Sequence, residues 1–333
     1  MAVNLKGVVL DIDVPLPAGF RFKDVLAFHG RDKEQVSERV YTHTEFSSSP
    51  QLVNSLDKAM LWDGLAACLS IHFISNIAKV NLHIDTERPR ISAATREDWC
   101  MRLEGLSRRM LGLDQDVEEF EKAVTGHREL ASLVYRRSGL RVPQSASPFE
   151  ALCWAVTGQQ ISVNAAISIR RRFIQSLGVA HSQGLLCHPD PASLAASKVE
   201  KLRSLGLSIG KANTLQALAA AIENKDLAIL DNKEKLGEES ADAIRAALLA
   251  IRGIGPWTVN YVLLRGFGYL DGSLHGDVAV RRNLQLLLGR EVKITADRMR
   301  ALPASANASE TTLKPFPQKL HFSLPYLGKC SHQ

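Results

Sequence analysis

Long apolar runs are missing from this 333-residue chain. No stretch approaches the roughly 20 apolar residues that a membrane-spanning helix requires, so no transmembrane helix and no membrane partner are expected. The opening "MAVNLKGVVLDIDVPLP" carries acids where a secretory signal is uninterruptedly apolar. The expectation is a protein that stays in the cytoplasm where it is made. Cysteine is scarce and scattered: Cys68, Cys100, Cys153, Cys187 and Cys330 form no C-x-x-C pair. That spacing argues against an iron–sulfur cluster or a zinc knot and reads as reduced, mostly buried thiols. The ten histidines are also dispersed, and no His/Asp/Glu group shows ligand spacing along the chain, which gives a metal hydrolase little support.

What is present begins with size and charge. A chain of this length has room for two or three domains, because one core seldom serves more than ~250–300 residues. An apolar fraction of 45% with few aromatics fits a globular protein. Residues 1–140 hold 18 Lys/Arg against 20 Asp/Glu, whereas 141–333 hold 23 against 15. A near-neutral first part thus precedes a basic second part, which suits contact with a polyanion or simply a solvated surface.

Hydrophobic periodicity divides the chain at about residue 97. Leu10, Ile12 and Val14 alternate with Asp11 and Asp13; Leu65–Phe73 and Ala78–Asp85 alternate in the same way. These segments predict antiparallel strands, half-buried, with a short helix near Phe22–Phe28. From about 97 to 300 the period is helical. "REDWCMRLEGLSRRMLGL", "DVEEFEKAVTG", "RELASLVYRRSG", "SPFEALCWAVTGQQ", "VNAAISIRRRFIQSLG", "PASLAASKVEKLRSLG", "KANTLQALAAAIEN" and "EESADAIRAALLAIRG" follow one another with Gly, Pro, Ser or Asp at the joints. No fixed period relates them, so they predict an all-α body rather than a solenoid. The fold class expected is α+β: an N-terminal antiparallel β-sheet domain with helices (1–96), an all-α region (97–302), and an irregular tail (303–333).

One stretch stands apart. In "IRGIGPWTVNYVLLRG" (251–266) a helix is expected to end at Arg252, with Gly253 and Gly255 where a side chain would not fit and Pro256 at the first position of the next helix. N–H groups around Gly253, Gly255 and Thr258 can converge on an anion at the positive end of that second helix. This predicts a helix–hairpin–helix element that grips a DNA phosphate without reading sequence, or else a plain αα-corner. Trp257 and Tyr261 lie four apart on one helical face, either as core packing or as a wall against which an extruded, positively charged base can stack. Asp277, in "SLHGDVAVRRNL", opens a helical run and reads as an N-cap; the same place keeps its carboxylate ionised, able to stabilise a developing sugar cation.

Taken together, "PFEALCWAVTGQQISVNAA" (148–166), "LRSLGLSIGKANTLQALA" (202–219), "IRGIGPWTVNYVLLRG" and "LHGDVAVRR" (274–282) resemble the DNA-3-methyladenine glycosylase II family of the helix–hairpin–helix superfamily, over roughly residues 1–300. "VPLPAGFRFKDVLAFHGRD" and the strands after it look like that family's β-rich first domain. The resemblance implies that Asp277 is the catalytic aspartate, that Trp257 and Tyr261 line the base pocket, and that Gln160 fills the gap left in the duplex by a flipped base. It further implies that the carbonyls of Leu249, Ile251 and Ile254 hold a Na+ or K+ ion. Superfamily members that also cut the backbone carry lysine at the position of Trp257, so the tryptophan implies a monofunctional hydrolase of the N-glycosidic bond, a monomer acting on double-stranded DNA with alkylated bases. The family continues past the aspartate's helix into a Trp- and Arg-rich helix; this chain has "LPASANASETTLKPFPQ" there and no tryptophan after Trp257. Gly276 stands where some members have a second acid. The competing readings are a DNA-binding module without catalysis, and a glycosylase inactivated by its altered C-terminus.

Overall fold

A computed structural model describes residues 7–42, 54–126, 128–231, 236–270 and 282. Five strands, β1 (Val8–Pro15), β2 (Glu38–Tyr41), β3 (Ser55–Trp62), β4 (Leu65–Ile74) and β5 (Ile77–Ile84), form one sheet in the order β1-β5-β4-β3-β2, every pair antiparallel. Helix α1 (Phe22–His29) follows β1, as the sequence predicts. The register sets Leu10 opposite Leu82 and Leu69 opposite Leu82 on the next pair, so the alternating apolar residues share one face. That face is closed by α2 (Ala93–Leu111), whose Trp99, Leu103, Leu106, Met110 and Leu111 share a core with the strands. Ser92 caps α2 by accepting from the Thr95 N–H at 3.0 Å, and Gly112, at φ 69°, ends it in the left-handed conformation.

The helical body continues with α3 (Val117–Val124), α4 (Arg128–Arg136), α5 (Pro148–Gly158), α6 (Val163–Leu177), α7 (Pro191–Ala195), α8 (Val199–Ser204), α9 (Ile209–Glu223), a 3₁₀ turn (Ala228–Asp231), α10 (Glu238–Leu249) and α11 (Pro256–Phe267). One apolar core joins α5 through α11. Its tightest crossing is α5 against α11: a Cβ on Gly266 would stand 2.9 Å from Pro148 Cα, so only glycine permits that approach. Two sequence expectations are corrected here. "PASLAASKVEKLRSLG" makes two helices instead of one, because Lys198 is extended (ψ 148°). Helix α10 stops at Leu249 rather than Arg252, since the Ile251 N–H turns back to the Leu248 carbonyl at 3.1 Å and starts the hairpin turn early.

The sheet and the body meet through buried charge. Lys58 of β3, itself fully buried, donates to Glu38 of β2 at 2.7 Å and to Glu150 of α5 at 2.9 Å; Arg170 of α6 donates to the same two carboxylates at 2.5 and 2.8 Å. Burial raises the carboxyl pKa values, but Arg170 and Lys58 outweigh it, bringing Glu38 down to about 2 and holding Glu150 well below its usual range. Around this network burial pushes His29 down to about 3 and His188 to about 4, so both rings are neutral. Arg31 caps the arrangement, its guanidinium 4.3 Å from the Phe28 ring and 4.4 Å from Trp154. Cys68, Cys153 and Cys187 are buried, Cys100 is half-buried, and all four are free thiols, as the spacing suggests. Burial pushes Cys68 up to about 12 and Cys187 to about 11, which leaves them inert. Cys330 lies outside the described residues.

Candidate functional site

The α10–α11 hairpin adopts the sharp break its glycines foretell, but the two glycines do different work. Gly253 sits at φ 93°, and a Cβ there would stand 2.0 Å from Thr214 Oγ1 of α9. That hydroxyl donates to the Arg252 carbonyl at 3.0 Å, so α9 fixes the turn from behind. Gly255 is the N-cap of α11 at φ −108°, a conformation open to any residue, and a Cβ there would meet nothing within 4 Å. The expectation that a side chain would not fit at Gly255 is therefore corrected: the protein leaves that space open.

Open space matters at this end of α11. A helix leaves its first N–H groups without intrahelical partners, and here the N-cap residue, a glycine, has no side chain to cap them. The N-termini of α6 and α9 are capped by Ser162, accepting from Ala165 N at 3.2 Å, and by Ser208, accepting from Lys211 N at 3.3 Å. The α11 terminus carries its partial positive charge behind a half-buried glycine instead. Pro256, at the first helical position, costs no hydrogen bond and fixes the start.

A second turn is bolted to the first. After α5 the chain passes through Gln159 and Gln160 into α6. The Gln159 side-chain amide donates to the Gly253 carbonyl and to Thr258 Oγ1, each at 3.0 Å. Its neighbour Gln160 is exposed at φ 56°, a strained value for a residue with a side chain, and forms the tip of the turn. Ile161 and Val163, beside it, are exposed as well. Lys211 of α9 donates to the Thr157 carbonyl at the end of α5, at 2.8 Å. Gln159, Thr214 and Lys211 hold the site together, and sequence reasoning singled out none of them. Only the doubled glutamine, Gln159 beside Gln160, carries a signal in the sequence.

Trp257 and Tyr261 come together as their spacing predicts, with ring centroids 5.5 Å apart and planes at 30°. Each is half-buried and packs against the core. Thr258, by contrast, is buried, its hydroxyl accepting from Gln159. Leu249 ends α10, where carbonyls lack intrahelical donors, and Ile251 and Ile254 lie in the turn after it; the Ile251 carbonyl accepts from Ile254 N at 3.1 Å. Asp277 and Gly276 lie outside the described residues, as does the tail from Pro303. Among the described residues no helix is long and apolar enough to cross a membrane. His83, Asp85 and His181, which have no ligand spacing along the chain, are brought together by the fold, with one side-chain atom of each within 4.8 Å of the others.

Residues 153–304 match the family described as HhH-GPD superfamily base excision DNA repair protein. Among curated proteins, the chain is 28% identical over 190 residues to a Bacillus subtilis protein named DNA-3-methyladenine glycosylase, covering 56% of this chain and 61% of that one. It is 29% identical over 171 residues to Escherichia coli DNA-3-methyladenine glycosylase 2, covering 51% and 58%. The chain thus spans about three fifths of the length of these relatives. Among solved structures, a 3-methyladenine DNA glycosylase from Archaeoglobus fulgidus superposes with a TM-score of 0.72 over 96% of this chain and 99% of that one, at 21% identity. That likeness shows a common fold.

Proposed function

We propose that this chain, whose residues 153–304 match the family described as HhH-GPD superfamily base excision DNA repair protein, is a monofunctional DNA glycosylase that removes alkylated purines such as 3-methyladenine from duplex DNA. The observation that carries the reading is the α11 N-terminus: a glycine N-cap at which, among the described residues, a Cβ would meet nothing within 4 Å, with the Trp257–Tyr261 ring pair on the first two turns of the same helix. The first feature suits a backbone phosphate and the second suits a base turned out of the stack. Gln160, exposed at the tip of the neighbouring turn, is placed to enter the duplex where the base has left.

The chemistry follows from the leaving group. A purine alkylated on its ring is already cationic, so breaking the C1′–N bond returns the electron pair to the base and releases it neutral, with little need for an acid. The positive charge passes to the sugar, where the Asp277 carboxylate stabilises it, and water adds at C1′ with loss of a proton. The aspartate's role rests on its place in the "LHGDVAVRR" motif. Electron-rich rings favour a cationic base over a neutral one, which supports selection for damage. A lysine is needed for Schiff-base strand cutting, and position 257 is tryptophan. Carbonyls at Leu249, Ile251 and Ile254, near the negative end of α10, are a donor set suited to a monovalent hard cation, which would neutralise repulsion between that end and a phosphate. The protein acts as a monomer on double-stranded DNA inside the cell.

Incubating the purified protein with a duplex carrying one 3-methyladenine is expected to release the free base, measured by chromatography, while the strand stays intact until alkali is added. Asp277→Asn is expected to lower release at least about 100-fold, the order seen when a transition-state charge loses its partner, with DNA affinity kept. Release that survives the substitution would sink the mechanism.

A further inference from the structure

We infer that the chain carries a divalent-metal site of the zinc class at His83, Asp85 and His181, distinct from the hairpin and independent of whether the glycosylase reading holds. His83 Nδ1 and His181 Nε2 are 3.1 Å apart. Asp85 Oδ1 lies 3.5 Å from the first and 3.4 Å from the second. Four ligands at about 2.0–2.1 Å in a tetrahedron stand roughly 3.3 Å from one another, so these three atoms already form one face of a zinc coordination shell. Two imidazoles and a carboxylate exclude a magnesium or calcium preference, since those ions take oxygen.

The surroundings hold the ligands as a metal site requires. The Asp85 carboxylate accepts from Ser182 N on Oδ2 at 2.7 Å and from Ser182 Oγ on Oδ1 at 2.6 Å, which fixes its orientation and leaves the second lone pair of Oδ1 for an ion. The far side of the His83 ring lies against Gly7, where a Cβ would stand 2.3 Å from Nε2. The His181 side chain is fully buried, whereas that of His83 is 22% exposed, so an ion and its fourth ligand, a water, enter from the His83 side. In the metal-free chain His181 Nδ1 accepts from the Gln183 N–H at 3.2 Å, which leaves the ring proton on Nε2, 3.1 Å from the His83 carbonyl. An ion takes the place of that proton, which moves to Nδ1. The cost is two hydrogen bonds, the one from Nε2 to the His83 carbonyl and the one from the exposed Gln183 N–H, which must turn from the new Nδ1–H toward water.

The site joins two parts of the molecule. His83 belongs to β5 and Asp85 follows it, while His181 lies between α6 and α7 in the helical body. A bound ion would clamp the sheet to the body on the side where Cys68 of β4 packs against Leu185 and Cys187.

The full chain, stripped with chelator and titrated with zinc, is expected to bind one equivalent by calorimetry with micromolar or tighter affinity. Its Tm should rise by roughly 5 °C when zinc exceeds Kd 100-fold. Cobalt should give the visible absorption of a tetrahedral site. His181→Gln and His83→Gln are each expected to weaken binding at least about 100-fold, and the half-exposed His83 keeps the test readable should the His181 variant not fold. Lack of a one-equivalent isotherm, binding unchanged in His83→Gln, or binding lost when the thiols are alkylated overturns the proposal. Base release plays no part in this readout, so the two readings fail separately.

Discussion

Gly253 and Gly255 look alike in the sequence and differ in what they permit. At Gly253 a side chain meets both a left-handed backbone and the Thr214 hydroxyl, so Gly253→Ala is expected to cost about 1–3 kcal/mol in urea denaturation. At Gly255 the backbone is ordinary and the space is open, so Gly255→Ala should change stability by no more than about 0.5 kcal/mol. Its effect should fall on DNA affinity, measured by fluorescence anisotropy, because a methyl group then stands where a phosphate would approach. A Gly255→Ala variant that binds DNA like the parent would remove the phosphate from this end of α11. At this scale the sequence was informative about residues that repeat a pattern, such as the Trp257–Tyr261 pair. It was silent about Gln159 and Thr214, whose partners are brought near only by the fold.

Elements were legible in proportion to how one-sided their burial is. Strands β1 and β5 alternate in burial, and β4 alternates in residue type, large apolar against small or polar, although its Ala66 and Cys68 are buried on the second face; β3, "SLDKAMLW", is buried on both faces and carries charge, and β2 is four residues long, so neither shows the period-two signal. The reason β3 tolerates a lysine is the network it enters. Lys58→Met removes one charge and leaves Glu38 and Glu150 facing Arg170 alone, and is expected to destabilise the protein by about 3–5 kcal/mol, seen as a lower urea midpoint. Glu38, Lys58, Glu150 and Arg170 are spread over more than a hundred positions, and no spacing rule joins them. The same holds for His83, Asp85 and His181.

For the whole molecule, the buried charges fix how stability responds to acid. His29 and His188 ionise at about 3 and 4 when folded but at 6.5 in an exposed chain, so below pH 6.5 the unfolded state binds protons that the folded state refuses. Glu38, at about 2 when folded against 4.5, adds to this between pH 4.5 and 2. All three slopes have one sign: stability is full above about pH 6.5 and falls steadily as pH drops. Thermal melts at pH 7, 5.5 and 4.5 should show a Tm decreasing at each step, and a Tm constant to pH 4.5 would contradict neutral buried histidines.

The double hydrogen bond from Gln159 has a mechanical consequence. Because it reaches both the Gly253 carbonyl and the Thr258 hydroxyl, the turn at Gln160 and the hairpin are tied together, and parting them breaks both bonds. On the proposed function that tie would act as a caliper with a locked opening. A duplex seated on the hairpin would then have to bend or open to accommodate the tip, so the shape change would fall on the nucleic acid, and sites already weakened by damage would yield to it first.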